Sequence, residues 1–191
     1  MIDLFWVAED MQKLCLREGW RFCFIGGLAI QRWGEPRVTA DVDLTLLTGF
    51  GGEDRYVDRL LGHFAPRVAD ARDFALTKRV LLLKSPTGIG IDVALGGLPY
   101  EELVVTRATM FEFLPKLSLL TCSAEDLIVL KAFADRPRDW NDVQGIVVRQ
   151  KSLDWDYVEL QLQPLAEAKE APHILDQLSR LRCQEASMTN Q

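Results

Sequence analysis

Two stretches of the chain alternate apolar and acidic side chains with the period of a β-strand. In Asp41-Val-Asp-Leu-Thr-Leu46, Val42, Leu44 and Leu46 project to one face and Asp41 and Asp43 to the other, because successive strand side chains point to opposite sides. Gly88 to Leu95 repeats the arrangement: Ile89, Ile91, Val93 and Leu95 share a face, leaving Gly90, Asp92 and Ala94 opposite. Arg21 to Ile25 is a short apolar run that predicts a buried strand. Lys78 to Lys84 predicts another, turned by Ser-Pro-Thr-Gly at 85 to 88 into the segment bearing Asp92. Val104 to Phe113 predicts one more extended segment, for a sheet of about five strands.

Elsewhere the apolar spacing is helical. Leu4, Val7, Met11, Leu14 and Cys15 place a covering helix over 3–18, with Asp3 as its N-cap and Gly19 as its stop. Leu28 to Trp33 predicts a short helix and Glu53 to Phe64 a longer one. Beyond Leu120 the pattern is helical throughout. Ser123-Ala-Glu-Asp126 resembles a capping box, Leu127, Leu130, Phe133 and Ala134 form the buried face that follows, and Pro137 ends it. Further helices are expected over 139–150, 154–169 and 172–183. The predicted fold is therefore α/β (α+β): a small mixed β-sheet flanked by helices over 1–116, a C-terminal helical lobe over 117–183, and a flexible polar tail over 184–191.

Composition narrows the function classes. With 191 residues, 48% apolar and 26% charged, the chain is an ordinary soluble globular sequence. It has no apolar run near the roughly 20 residues that span a bilayer and no signal peptide at its start, which leads to an expected cytoplasmic location and no membrane partner. A formal charge of −6 argues against binding nucleic acid over the whole surface. The 4 cysteines are scattered and only 2 histidines occur, so the expectation is buried reduced thiols and no zinc site.

The candidate chemistry is acidic. Asp41 and Asp43 side by side on one strand face repel each other, which is tolerable around a cation, and an oxygen-only donor set favours Mg²⁺ or Mn²⁺. Asp92 on a neighbouring strand would complete a set of three. Gly26-Gly27 precedes a helix, where bare backbone amides can approach phosphate oxygens closely, although such a pair also suits a plain tight turn. Arg37 and Thr39 share the parity of Asp41, so in a regular strand they would face the same site. Asp139 and Asp142 near Arg136 and Arg138 read as a surface ion-pair cluster or as part of a site. Arg136, Arg138, Arg149 and Lys151 read as a solvated helical face or an RNA patch.

The ordered run Gly26-Gly-Leu-Ala-Ile, Arg37-Val-Thr-Ala-Asp-Val-Asp43, the lone Asp92, and Ser123-Ala-Glu-Asp-Leu…Lys131…Arg138-Asp139…Asp142 resembles the nucleotidyltransferase superfamily that includes polymerase-beta-like enzymes. Within it, the run resembles the AbiEii/MenT-type toxin nucleotidyltransferases over residues 22–148. The resemblance implies a metal-dependent transferase that moves a nucleotidyl group from an NTP such as ATP to an acceptor hydroxyl. The acceptor would be a tRNA or other RNA end, a protein or a small molecule, and an antitoxin would be a partner. It implies that Asp41, Asp43 and Asp92 hold catalytic Mg²⁺ or Mn²⁺, that Gly26 and Gly27 hold the triphosphate, and that Lys131 contacts phosphates. Two rivals stand beside it. One is a catalytically silent binding or regulatory subunit. The other is a haloacid-dehalogenase-like phosphatase, to which Asp41-Val-Asp-Leu-Thr45 also conforms but for which Gly26-Gly27 has no use.

Overall fold

The computed structural model describes residues 2–189, with side chains described through Cys183. Contacts divide it into two compact units: residues up to Leu28 with Val38–Cys122, and Ala29–Arg37 with the residues from Ser123 on.

The first unit is built on a seven-stranded mixed sheet. Its strands are β1 (Phe22–Phe24), β2 (Asp41–Leu47), β3 (Ala65–Pro66), β4 (Val80–Lys84), β5 (Gly90–Gly96), β6 (Thr109–Leu114) and β7 (Leu117–Thr121), in the order β3-β4-β5-β2-β1-β7-β6. β2 pairs with β5 in parallel, as β1 does with β7, and the other neighbours are antiparallel. Val42, Leu44 and Leu46 of β2 and Ile91, Val93 and Leu95 of β5 are buried in one cluster with Leu4, Phe5, Met11 and Leu14 of α1 (Ile2–Arg17). The alternation thus separates a dry face from an acidic one. Gln12 fixes α1 to β7: its side-chain amide donates to Ser118 O at 2.8 Å and accepts from Leu120 N at 2.9 Å. Gly19 takes φ +68°, the left-handed conformation that stops α1, while Asp3 lies inside the first turn and not at its cap.

The segment expected to be extended over 104–113 is divided. Pro99 opens α5 (Pro99–Thr106), and the Glu101 carboxylate accepts from Gly97 N and Leu98 N, both at 2.8 Å, so the helix start is capped from within. The strand begins only at Thr109, and Leu117–Thr121 belongs to the sheet and not to the helices. α3 (Asp54–Leu61) and α4 (Ala71–Lys78) complete this unit, α4 having no counterpart among the predicted elements.

α2 (Gly26–Trp33) begins at the glycine pair. The second unit holds α6 (Ala124–Ala134), α7 (Pro137–Arg149), α8 (Trp155–Ala168) and α9 (His173–Thr189). Ser123 caps α6, accepting from Asp126 N at 3.0 Å, and Pro137 starts α7 at its first position, where its missing N–H costs nothing. The helix α9 continues past the expected stop at Cys183. The remainder of the expected tail, 190–191, lies outside the described residues.

Candidate active site

In the first unit, the parallel register of β2 and β5 pairs Asp41 with Gly90 and Asp43 with Asp92. Paired residues on neighbouring strands project to the same side, and Asp41 shares the parity of Asp43, so the three carboxylates share the polar face. The backbone makes room for them. Gly26, at φ +56°, has no Cβ where one would overlap the Asp43 carboxylate, and a Cβ on Gly90 would overlap Asp41 Oδ1. Asp43 Oδ2 accepts from Gly27 N at 3.3 Å, tying the glycine turn to β2.

Arg67 also lies on this face, one residue beyond β3. Its guanidinium donates to Asp92 Oδ1 through Nη2 and to Asp41 Oδ1 through Nη1 at 3.4 Å, so one side chain joins carboxylates on two strands. Burial raises the pKa of Asp92 above the usual carboxylate range. Arg67 opposes this rise and the charge of Asp41 adds to it. The sequence carries no signal for Arg67, because β3 is two residues long and lacks an alternating pattern.

Arg37 does not extend β2, which begins at Asp41. It lies in the second unit, where Nε and Nη2 make paired hydrogen bonds of 2.7 Å to the two oxygens of Asp142. Strand parity therefore does not apply to it. Thr39, also outside the strand, donates to Asp41 O at 3.3 Å and packs where a Cβ on Gly27 would fall. Lys131 is held by Asp139 at 2.8 Å and Asp142 at 2.9 Å, and Arg136 also bonds Asp139. Asp139 and Asp142 are 1% and 7% exposed, so of the two readings left open the surface cluster does not hold, and both aspartates sit in a buried network with Lys131. Burial pushes both aspartates up, but hydrogen bonds and charge from Arg136, Lys131 and Arg37 outweigh it and leave both below the ordinary value. Cys15, Cys23 and Cys122 are buried thiols, and Cys183 is exposed, contrary to the expectation for all four.

Over residues 16–188 the sequence matches the family described as nucleotidyl transferase AbiEii toxin, type IV toxin–antitoxin system. The chain belongs to the AbiEii nucleotidyltransferase family. The fold agrees with that membership. It is similar to an antigenic nucleotidyltransferase-like protein from Paracoccidioides brasiliensis, at 15% identity and a TM-score of 0.52 over 93% of this chain and 91% of that one. It is also similar to the antibiotic-resistance factor ANT(2'')-Ia, at 17% identity and a TM-score of 0.51 over 98% and 97% of the two chains. No curated protein matches the sequence. An AbiEii nucleotidyltransferase has no need of a phosphatase mechanism, and the haloacid-dehalogenase reading lapses.

The AbiEii carboxylates suit a divalent cation in three respects. Their donors are all oxygen, glycines at 26 and 90 let the side chains lie against backbone, and a guanidinium already stands among them as a cation. Among the described residues, no group of three or more His, Cys, Asp or Glu side chains is arranged so that it could hold a metal ion as it stands. As they stand, Asp41 and Asp92 face Arg67 while Asp43 faces the Gly27 amide. A cavity of about 390 Å³ lined by Trp20, Tyr56, Gly96 and Gly97 lies at the opposite ends of β2 and β5, too far along the strands to serve these carboxylates. No described helix of this nucleotidyltransferase is long and apolar enough to cross a membrane.

Proposed function

We propose that this nucleotidyltransferase moves a nucleotidyl group from an NTP to an acceptor hydroxyl with Mg²⁺ or Mn²⁺, and that it is the toxin of a pair with an antitoxin partner. The observation that carries the reading is the β2–β5 register, which sets Asp43 beside Asp92, with Asp41 on the same face next to the Gly26-Gly27 turn. The three aspartates would hold the cation, which when bound supplies positive charge for the phosphate oxygens as pyrophosphate leaves. The residues do the rest. The amides at the start of α2 present N–H groups to phosphate, where the helix dipole favours an anion. Asp92 orients the attacking hydroxyl and takes up its proton. Lys131 belongs to the second unit, its ammonium kept in place by Asp139 and Asp142. Family membership supports the toxin role. The acceptor belongs to the class of RNA ends, protein hydroxyls and small alcohols.

The test is transfer of label. The pure chain is incubated with each α-labelled NTP, Mg²⁺ and total cell RNA or protein. Label should enter one acceptor class from one NTP, and EDTA should stop it. Asp43→Asn keeps an acceptor for the Gly27 amide but removes the charge, so it should abolish labelling with little change in Tm. Retained labelling in that variant would remove Asp43 from the reaction, and a folded wild-type chain that labels nothing would favour the silent-subunit reading.

A further inference from the structure

We infer that Arg67 is the resident counter-ion of the carboxylate face, which a divalent cation must displace before Asp41 and Asp92 can bind it. The inference rests on the proposed metal-dependent reading and adds to it a residue that governs metal loading.

Four observations carry it. The guanidinium bonds the Oδ1 atoms of both Asp41 and Asp92, so it already links the two strands that a metal would link. Its backbone is fixed, because Arg67 N donates to Leu82 O at 2.9 Å and Leu82 is the register partner of Asp92 on β4. The side chain therefore crosses β4 to reach the acidic face. The path is built for it, since a Cβ on Gly90 would overlap Arg67 Nη1 as well as Asp41 Oδ1. Finally, the Arg67 side chain is 33% exposed, so it can swing into solvent by rotation about its own bonds without opening the core.

The chemistry follows from charge and geometry. A single guanidinium offsets only part of three carboxylate charges, which leaves the face attractive to a second cation. Two cations cannot occupy the same oxygen lone pairs at contact distance, so each excludes the other. While Arg67 is in place it relieves repulsion among the aspartates, and the apparent metal affinity is reduced by the fraction of molecules in which it is bound there. A planar fork spans two carboxylates better than a lysine ammonium, so Arg67→Lys should hold the face less well.

The test uses the full chain without nucleotide and Mn²⁺ as the probe, with free Mn²⁺ read by electron paramagnetic resonance. Arg67→Met, which keeps much of the stem and removes the cation, should bind Mn²⁺ about five- to tenfold more tightly than wild type, with Arg67→Lys in between. In EDTA the Arg67→Met chain should melt at a lower temperature, and Mn²⁺ should restore more of its Tm than it adds to wild type, a recovery that loss of packing alone would not give. Unchanged or weaker Mn²⁺ binding by folded Arg67→Met overturns the inference. If Arg67→Met does not fold, Arg67→Lys decides by the same sign. Asp43→Asn in both backgrounds separates the two claims. If it removes Mn²⁺ binding but Arg67 changes do not alter that binding, the Arg67 role alone fails. If Mn²⁺ binds in neither background, or binds regardless of Asp43, the metal-dependent reading fails and takes this inference with it.

Discussion

At the scale of a residue, Lys131 shows how a buried charge is held. An ammonium 8% exposed between two aspartates that are themselves buried is stable only because each charge has its partners, and Arg37 and Arg136 extend the set at either end. Removing one member of such a network leaves opposite charges buried without compensation. Lys131→Met should therefore lower stability by roughly 3 kcal/mol, read as a shift in urea midpoint with no substrate present. Loss of activity in that variant alone would not assign Lys131 to phosphate, and a midpoint near wild type would show that the network is not structural. The aspartates also give the network a pH dependence. Both carboxyls lie below their ordinary value in the folded chain, so their stabilisation is complete above about pH 4, where the unfolded aspartate titrates, and is lost as pH falls toward the folded value. The urea midpoint of wild type should fall as the pH drops below about 4 more steeply than that of Asp142→Asn. Parallel profiles would contradict the assignment.

At the scale of elements, one hydrogen-bonded side chain holds a helix to a strand that lies far from it in sequence. Gln12 is buried and bonds both a carbonyl and an amide of β7. Gln12→Leu preserves approximate volume but strands Ser118 O and Leu120 N, and should cost about 1–3 kcal/mol in urea unfolding. A neutral effect would mean that water or a repacked neighbour satisfies them. Gln12 also shows what the sequence could not disclose. The apolar stripe of α1 and the alternation of β2 and β5 were readable because burial selects residues at a fixed period, and that period placed Asp41 with Asp43 on one face, whereas Asp92 joins them only through the β2–β5 pairing. Val104 and Val105 read as strand because they are β-branched, yet the chain there is helical, since Pro99 and the Glu101 cap act before propensity is expressed. Arg67 and the pairing of Arg37 with Asp142 depend on contacts between segments 25 to 105 residues apart, which no local pattern encodes.

Across the whole molecule, the cysteines divide between the two units in a way that makes them a reporter. Cys15, Cys23 and Cys122 lie in the sheet unit and are buried, whereas Cys183 lies on α9 and is exposed. Burial pushes the Cys15 thiol up to about 12, so at neutral pH it carries almost no thiolate, the species that attacks a disulfide reagent. Native chain treated with such a reagent should lose one thiol quickly, and the other three only as the sheet unit opens. Because the fast thiol and the slow ones belong to different units, the slow phase follows the sheet unit alone. Its rate should rise steeply with urea if it requires global unfolding, whereas a slow phase insensitive to urea would show that the sheet unit opens locally in the native state. Mn²⁺ supplies the last step, because on the proposed reading Asp41, Asp43 and Asp92 would hold an ion in the folded chain only. If the slow thiols require that unit to unfold, their labelling should slow further in wild type with saturating Mn²⁺ and be unaffected in Asp43→Asn. Equal slowing in both chains would place the bound ion elsewhere.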